Sequence, residues 1–493
     1  MGQDAPDTTD WRALARKDLA GIHTTIERNH PGAVDAQNPG FRSWLENGYT
    51  YARIYARRVA SRAGYRHVLK YYVYGFQDGH MTLNFKASPP VSRWPGFLVS
   101  YDGGDFVVAP RPETVSPESD SFAEARPPVG AVLVSCDGRP ASDWADRVLR
   151  RFHPLWSVSG ARPEAAPHLF IDRGNPFVDR PGRCVFSYRA GEERSYSLRW
   201  RTIAPDRLAP FLQAAQQKRD AEVGLREFGE GGYWISLPTF NALHDPSSAA
   251  LHRLVERVQA RAPLLRRAPA VVFDVRGNSG GATAFGLHLA ALLWGPEAVN
   301  RAMPQVASVD WRASETNLTY MREVTTVLED RFGPNSDMVE WWTDVQSGME
   351  QSLESGQPWY RETPAAPVRA DTAFTADVTA DVFLLTDGRC FSACLEFADV
   401  LRALPGVTHV GRETSADTPY MEAVNVELPS ERALFGYPIK VYRGRRRDAN
   451  ETYRPTPPYR WTGSIGNTAA LERWIWELAT QENRTKTGEA GGS

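Results

Sequence analysis

Two apolar runs in the second half of the chain constrain the fold more than any other feature. The segments "APAVVFDV" (268–275) and "DVFLLT" (381–386) are apolar at nearly every position rather than at every second one. A strand with one wet face alternates, whereas a strand apolar throughout is covered on both faces, as in a parallel sheet between helices. Helical patterns at 247–261, 284–293 and 392–404 alternate with these runs, and "GGYWISLPTF" and "VTHVGRE" extend the series of strands. Residues 206–480 are therefore expected to form an α/β domain.

The rest of the chain reads differently. Residues 1–90 are mostly helical in pattern and end in an alternating strand, "HMTLNF". Residues 91–205 carry short strands and turns and form a β-rich module. A polar, helix-like insert at 300–370 interrupts the α/β region, a size and place suited to a lid or wall over a site. The tail 481–493 is expected to be flexible. With 493 residues, 42% of them apolar, the chain can bury several cores.

A net charge of −2 supplies no general attraction to nucleic acid or anionic membranes. No run approaches the roughly 18 apolar residues of a membrane span. The start, "MGQDAPDTTDW", lacks the charged and apolar regions of a secretion signal, which fits a cytoplasmic protein or one whose export signal has been removed. Cys136, Cys184, Cys390 and Cys394 lack paired zinc spacing and are expected to be free, packed side chains, with a Cys136–Cys184 bridge the exception in an exported protein. Neither metal nor organic cofactor is expected, and a homo-oligomer is possible.

Three segments could carry chemistry. In "VVFDVRGNSGGAT" (271–283) a buried strand meets a Gly-rich turn that fits neither a P-loop nor a dinucleotide fingerprint. Its backbone N–H groups could face a negative atom, or it could be merely a tight turn. In "TDGRCFSACLEFAD" (386–399) a strand meets a sharp turn and a helix, which puts Ser392 at the carboxyl edge of the sheet and at the positive end of a helix. Ser392 there is either an N-cap or a nucleophile. A nucleophilic serine needs a base. Of the ten histidines, His80, beside the Asp78-Gly79 turn at a strand start, has the most rigid setting, whereas His153, His168, His244 and His252 read as loop or helix-surface residues.

Taken in order, "DGHMTL", "DVRGNSGG" and "TDGRCFSACLEFAD" resemble the tail-specific or C-terminal processing serine peptidases, most nearly their tricorn-core branch. The resemblance spans roughly residues 10–480 and omits the insert. It implies a ClpP/crotonase-like α/β catalytic domain, and "VGAVLVSCDGRPASDWADRVL" is similar to the strand, Asp-Gly turn and helix of a PDZ domain. It also implies Ser392 as nucleophile, with the N–H groups of Ala393 and Gly280 as oxyanion hole. One branch takes its base from a lysine downstream of the serine; here no lysine lies between 219 and 439, which leaves His80. The tricorn-like branch orients its histidine with a distal glutamate. Glu451, 59 residues beyond Ser392 (451 minus 392), is the implied partner and Asp448 the alternative. Gly79 stands where that branch has a serine before the histidine. The implied activity is hydrolysis of short or unfolded peptides through an acyl-enzyme. The alternatives are a non-catalytic relative that binds a peptide tail or hydrophobic ligand, a hydrolase of esters or small amides, and a PDZ-based scaffold.

Overall fold

A computed structural model describes residues 9–88, 91–112, 126–188, 191–219, 221–242, 245–362 and 377–486. The apolar runs form the middle of a five-stranded sheet in the order Gly224–Phe228, Gly232–Ser236, Ala270–Asp274, Asp381–Thr386 and Val407–Gly411. The first pair is antiparallel and the others are parallel. Both faces are covered, as continuous hydrophobicity requires. Val271, Phe273, Val382 and Leu384 pack with the helices Asp245–Leu265, Thr283–Trp294 and Ala393–Ala403. Ala270, Val272, Phe383 and Leu385 face the helix Thr468–Lys486 instead. That helix takes in 481–486 of the expected tail; 487–493 lie outside the described residues, as does His244.

A second sheet, antiparallel throughout, is built from distant parts of the chain: Thr82–Phe85, Ala433–Arg443, Ser308–Arg312 and Trp359–Glu362 in that order, with Tyr420–Glu427 also paired to Ala433–Arg443. Its core joins the helices Trp11–Asn29, Pro39–Ala56 and Arg62–Tyr74 to Leu318, Met321, Trp342, Val345 and Met349. Those last five belong to the helices Glu315–Phe332 and Asp337–Glu354 of the insert. The described residues of the 300–370 insert, whose size and place suited a lid or wall, are built into this second sheet and core instead. Its two strands complete a sheet, its helices fill a core, and none of its described residues lines either of the two large cavities.

The β-rich module carries a separate sheet and core, centred on Phe97, Trp144, Phe170 and Phe186. The cysteine expectation is also overturned. Cys136 and Cys184 are partner positions on adjacent strands and form a disulfide, and Cys390 is bonded to Cys394. Partners across neighbouring strands lie close enough to be bridged without moving the backbone.

Candidate active site

The strand Asp381–Thr386 ends in a turn whose last residue is Ser392 and which opens directly into the helix Ala393–Ala403. Ser392 has φ +56° and ψ −124°, in the left-handed region that a side chain enters only under constraint. The constraint is visible on both sides. The Cys390–Cys394 disulfide spans the turn, and Phe391 N–H donates to Asn278 O at 3.3 Å. Ser392 makes no side-chain cap, so the N-cap reading fails. Its Oγ lies instead 3.0 Å from His80 Nε2.

His80 occupies the turn just before Thr82–Phe85, in the second sheet, and its ring packs against Phe391 with centroids 4.7 Å apart. The backbone here is held by Asp78, 2% exposed, whose Oδ1 accepts from His80 N–H at 2.8 Å and whose Oδ2 accepts from Thr418 Oγ1 at 2.9 Å. The same carboxylate stands 3.7 Å from His80 Nδ1, a buried atom with no hydrogen-bond partner among the described residues. Burial pushes the Asp78 carboxyl above its ordinary range, against the opposing pull of His80.

The Gly-rich turn reaches this site from the neighbouring strand. Asp274 and Arg276 form a buried bidentate pair, Nε to Oδ1 at 2.8 Å and Nη2 to Oδ2 at 2.7 Å, and the guanidinium holds the carboxyl below its ordinary range. Asn278 Nδ2 donates to Leu237 O, and Asp387 accepts from Gly277 N–H, so the two turns are tied to each other and to the sheet. Gly280, φ +104°, then lies against Ser392: a Cβ there would sit 3.0 Å from Ser392 Cβ and 3.1 Å from Ala393 N. Ala393 N–H has no hydrogen-bond partner among the described residues. That of Gly280 donates to Asn278 Oδ1 at 2.9 Å.

A serine on a strained strand-to-helix turn, hydrogen-bonded to an imidazole with a buried carboxylate behind it, is the apparatus of acyl transfer. Residues 232–453, which hold the Gly-rich turn and the serine, match the model of peptidase family S41. The chain is a serine-type peptidase, and residues 232–453 are its S41-like region.

No curated protein matches the sequence of this peptidase. Among solved structures its fold is similar to that of mature CPAF. The complex with lactacystin has a TM-score of 0.61 at 15% identity, covering 96% of this chain and 99% of that one. Another structure of mature CPAF has a TM-score of 0.59 at 14% identity, covering 96% and 98%.

Of the residues singled out in the sequence, Ser392, His80, Gly280 and Ala393 meet. Glu451 does not join them directly. It is exposed, and its Oε2 accepts from Asp448 N–H at 2.8 Å, so the carboxylate caps its own loop. Asp448 is exposed as well. The loop itself stays near, through Asn450 Nδ2 donating to Gln77 O at 3.0 Å. Asp78, read from sequence only as half of a turn dipeptide, is the carboxylate beside His80. Its position two residues before a histidine, where an Asp side chain turns back to accept a backbone N–H, was the available signal.

Proposed function

We propose that this peptidase cleaves short or unfolded peptides through an acyl-enzyme formed on Ser392. The observation that carries the reading is the 3.0 Å contact between His80 Nε2 and an Oγ that makes no helix cap. His80 takes the hydroxyl proton as Oγ attacks the peptide carbonyl, then gives it to the leaving amine. Water attacks the acyl-enzyme by the reverse route.

As His80 becomes cationic, the Asp78 carboxylate stabilises it, and the cation in turn relieves the burial cost borne by Asp78. The Ser-His-Glu arrangement implied by resemblance becomes Ser392-His80-Asp78, with Glu451 at most an indirect contributor. The oxyanion is held by Ala393 N–H at the positive helix end, and by Gly280 N–H in a bond shared with Asn278 Oδ1. We read the five-stranded sheet and its helices as crotonase-like and the module at 91–205 as PDZ-like, on the strength of its strand, Asp137-Gly138 turn and helix Ala141–Leu149. Two disulfides suit an oxidising compartment.

A fluorophosphonate probe is expected to label Ser392, and Ser392→Ala to abolish the labelling. His80→Ala should lower kcat/KM on an unstructured peptide by about 10³-fold or more with the fold retained. Undiminished turnover in either variant would remove the assignment.

A further inference from the structure

A cavity of about 650 Å³ opens beside the reacting groups. Its wall includes Gly79, Ser279 and Phe391, the chain neighbours of His80, Gly280 and Ser392. The remaining wall mixes apolar residues such as Leu155, Pro238 and Ile465 with charged ones. Among the described residues, Lys218, Arg219, Arg276 and Arg389 line it together with two carboxylates, Glu164 and Asp387.

The pairing of these charges is uneven. Arg389 contacts Glu164 and lies 3.4 Å from Asp387, and Lys218 lies 3.5 Å from the same Glu164. Behind the wall, Asp274 is already engaged bidentately by Arg276, and it is also the ion-pair partner of Arg219, at 2.9 Å. Among the described residues, four cations thus share three carboxylates. The Nε atoms of Arg219 and Arg389 are buried with no hydrogen-bond partner among the described residues. Arg219 side-chain exposure is only 15%, so these donors are neither fully hydrated nor paired. Such an arrangement is costly unless an anion completes it. His153 and His168, on the same wall, are held well below the ordinary histidine range by burial and add no charge near neutrality.

We infer that this cavity is a subsite for a substrate carboxylate, with Arg219 as the residue that selects it. The inference rests on the peptidase reading and deepens it: the favoured peptide carries an anionic group within a few residues of the bond attacked by Ser392. That group is either an Asp or Glu side chain or a free C-terminal carboxylate. Both present the same planar acceptor to the unfilled guanidinium donors.

The test uses the full chain carrying Ser392→Ala, so that binding is read without turnover, by calorimetry with three unstructured hexapeptides. One has a central Glu and an amidated terminus, one has Gln in its place, and one has Gln with a free terminal carboxylate. A charge-assisted hydrogen bond contributes about 1.5–3 kcal/mol, so at least one of the anionic peptides is expected to bind about tenfold or more tightly than the neutral one. Which one does so identifies the source. Adding Arg219→Gln should collapse that preference to about threefold or less, while Arg219→Lys should retain part of it. Equal binding of all three peptides, no measurable binding of any, or a preference that survives Arg219→Gln would overturn the subsite. Fluorophosphonate labelling of the unmutated protein separates the two claims. Labelling without anion preference sinks only the subsite, and anion preference without labelling sinks the hydrolytic reading.

Discussion

Gly280→Ala tests the proposed oxyanion geometry apart from the proposed nucleophile and base. The residue has φ +104°, and an added methyl would stand 3.0 Å from Phe391 O, 3.0 Å from Ser392 Cβ and 3.1 Å from Ala393 N. Backbone in that region costs a non-glycine residue about 1–3 kcal/mol, which a domain of ordinary stability tolerates. The catalytic penalty should be larger. An oxyanion sits about 2.7–3.1 Å from its donors, so the methyl occupies the place beside Ala393 N–H where the charge develops. Loss of one such donor costs about 10²–10³ in rate, so kcat/KM on a peptide and the rate of fluorophosphonate inactivation should fall together by that factor. Urea unfolding, measured in parallel, should register only the strain. Gly138→Ala supplies the comparison, since at φ +77° its methyl meets open space and only strain applies. Gly281→Ala supplies the opposite limit, because its methyl would lie 2.1 Å from Phe240 O, a backbone atom that cannot yield, and the protein should fail to fold. A folded Gly280→Ala protein that keeps more than a tenth of its activity would refute the placement of the oxyanion at this turn.

Asp78→Asn should lower kcat by about 10²-fold or more and Glu451→Gln by less than tenfold, measured on the same peptide; the reverse order would return the orienting role to Glu451. Replacing Cys136 and Cys184 by Ala should cost about 4 kcal/mol and replacing Cys390 and Cys394 about 2 kcal/mol, because the bridges span 48 and 4 residues. Urea midpoints check the order, and equal losses would contradict the loop-closure argument. Burial holds His30, His67 and His409 down at about 3, so they stay neutral in the fold but bind protons when unfolded. Their stabilisation is complete above about pH 6.5 and is lost as pH falls from there toward 3. At pH 5.5, fully buried His30 alone should cost on the order of 1 kcal/mol. A urea midpoint equal at pH 7.5 and 5.5 would rule this out.

What could be read without coordinates is local. Val271, Val272 and Phe273 are apolar in succession, and the strand they form is buried on both faces because no polar face exists to be wetted. The turns after Asp274 and Thr386 follow for the same reason: a glycine cluster in one, and in the other a small polar serine between a strand and a helix. Ser392 could therefore be placed at a sheet edge, though its own residues favoured an N-cap over a nucleophile.

The tertiary structure decided what that serine touches. His80 lies 312 residues earlier, in the turn that leads into a different sheet, where Thr82–Phe85 pairs with Ala433–Arg443, a partnership no local pattern encodes. The place of the insert was hidden for a related reason: its amphipathic helices show that they bury one face but not against what, and the core they enter is shared with the second sheet and the N-terminal helices. Disulfide pairing, the freedom of Ala393 N–H and the nearness of Asp78 are likewise properties of angles and distances between segments. The sequence by itself determined which residues could do chemistry, since side-chain type and backbone freedom are local. Only the packing of three separately built turns decided which of them act together, because a proton moves over about 3 Å whatever the distance along the chain.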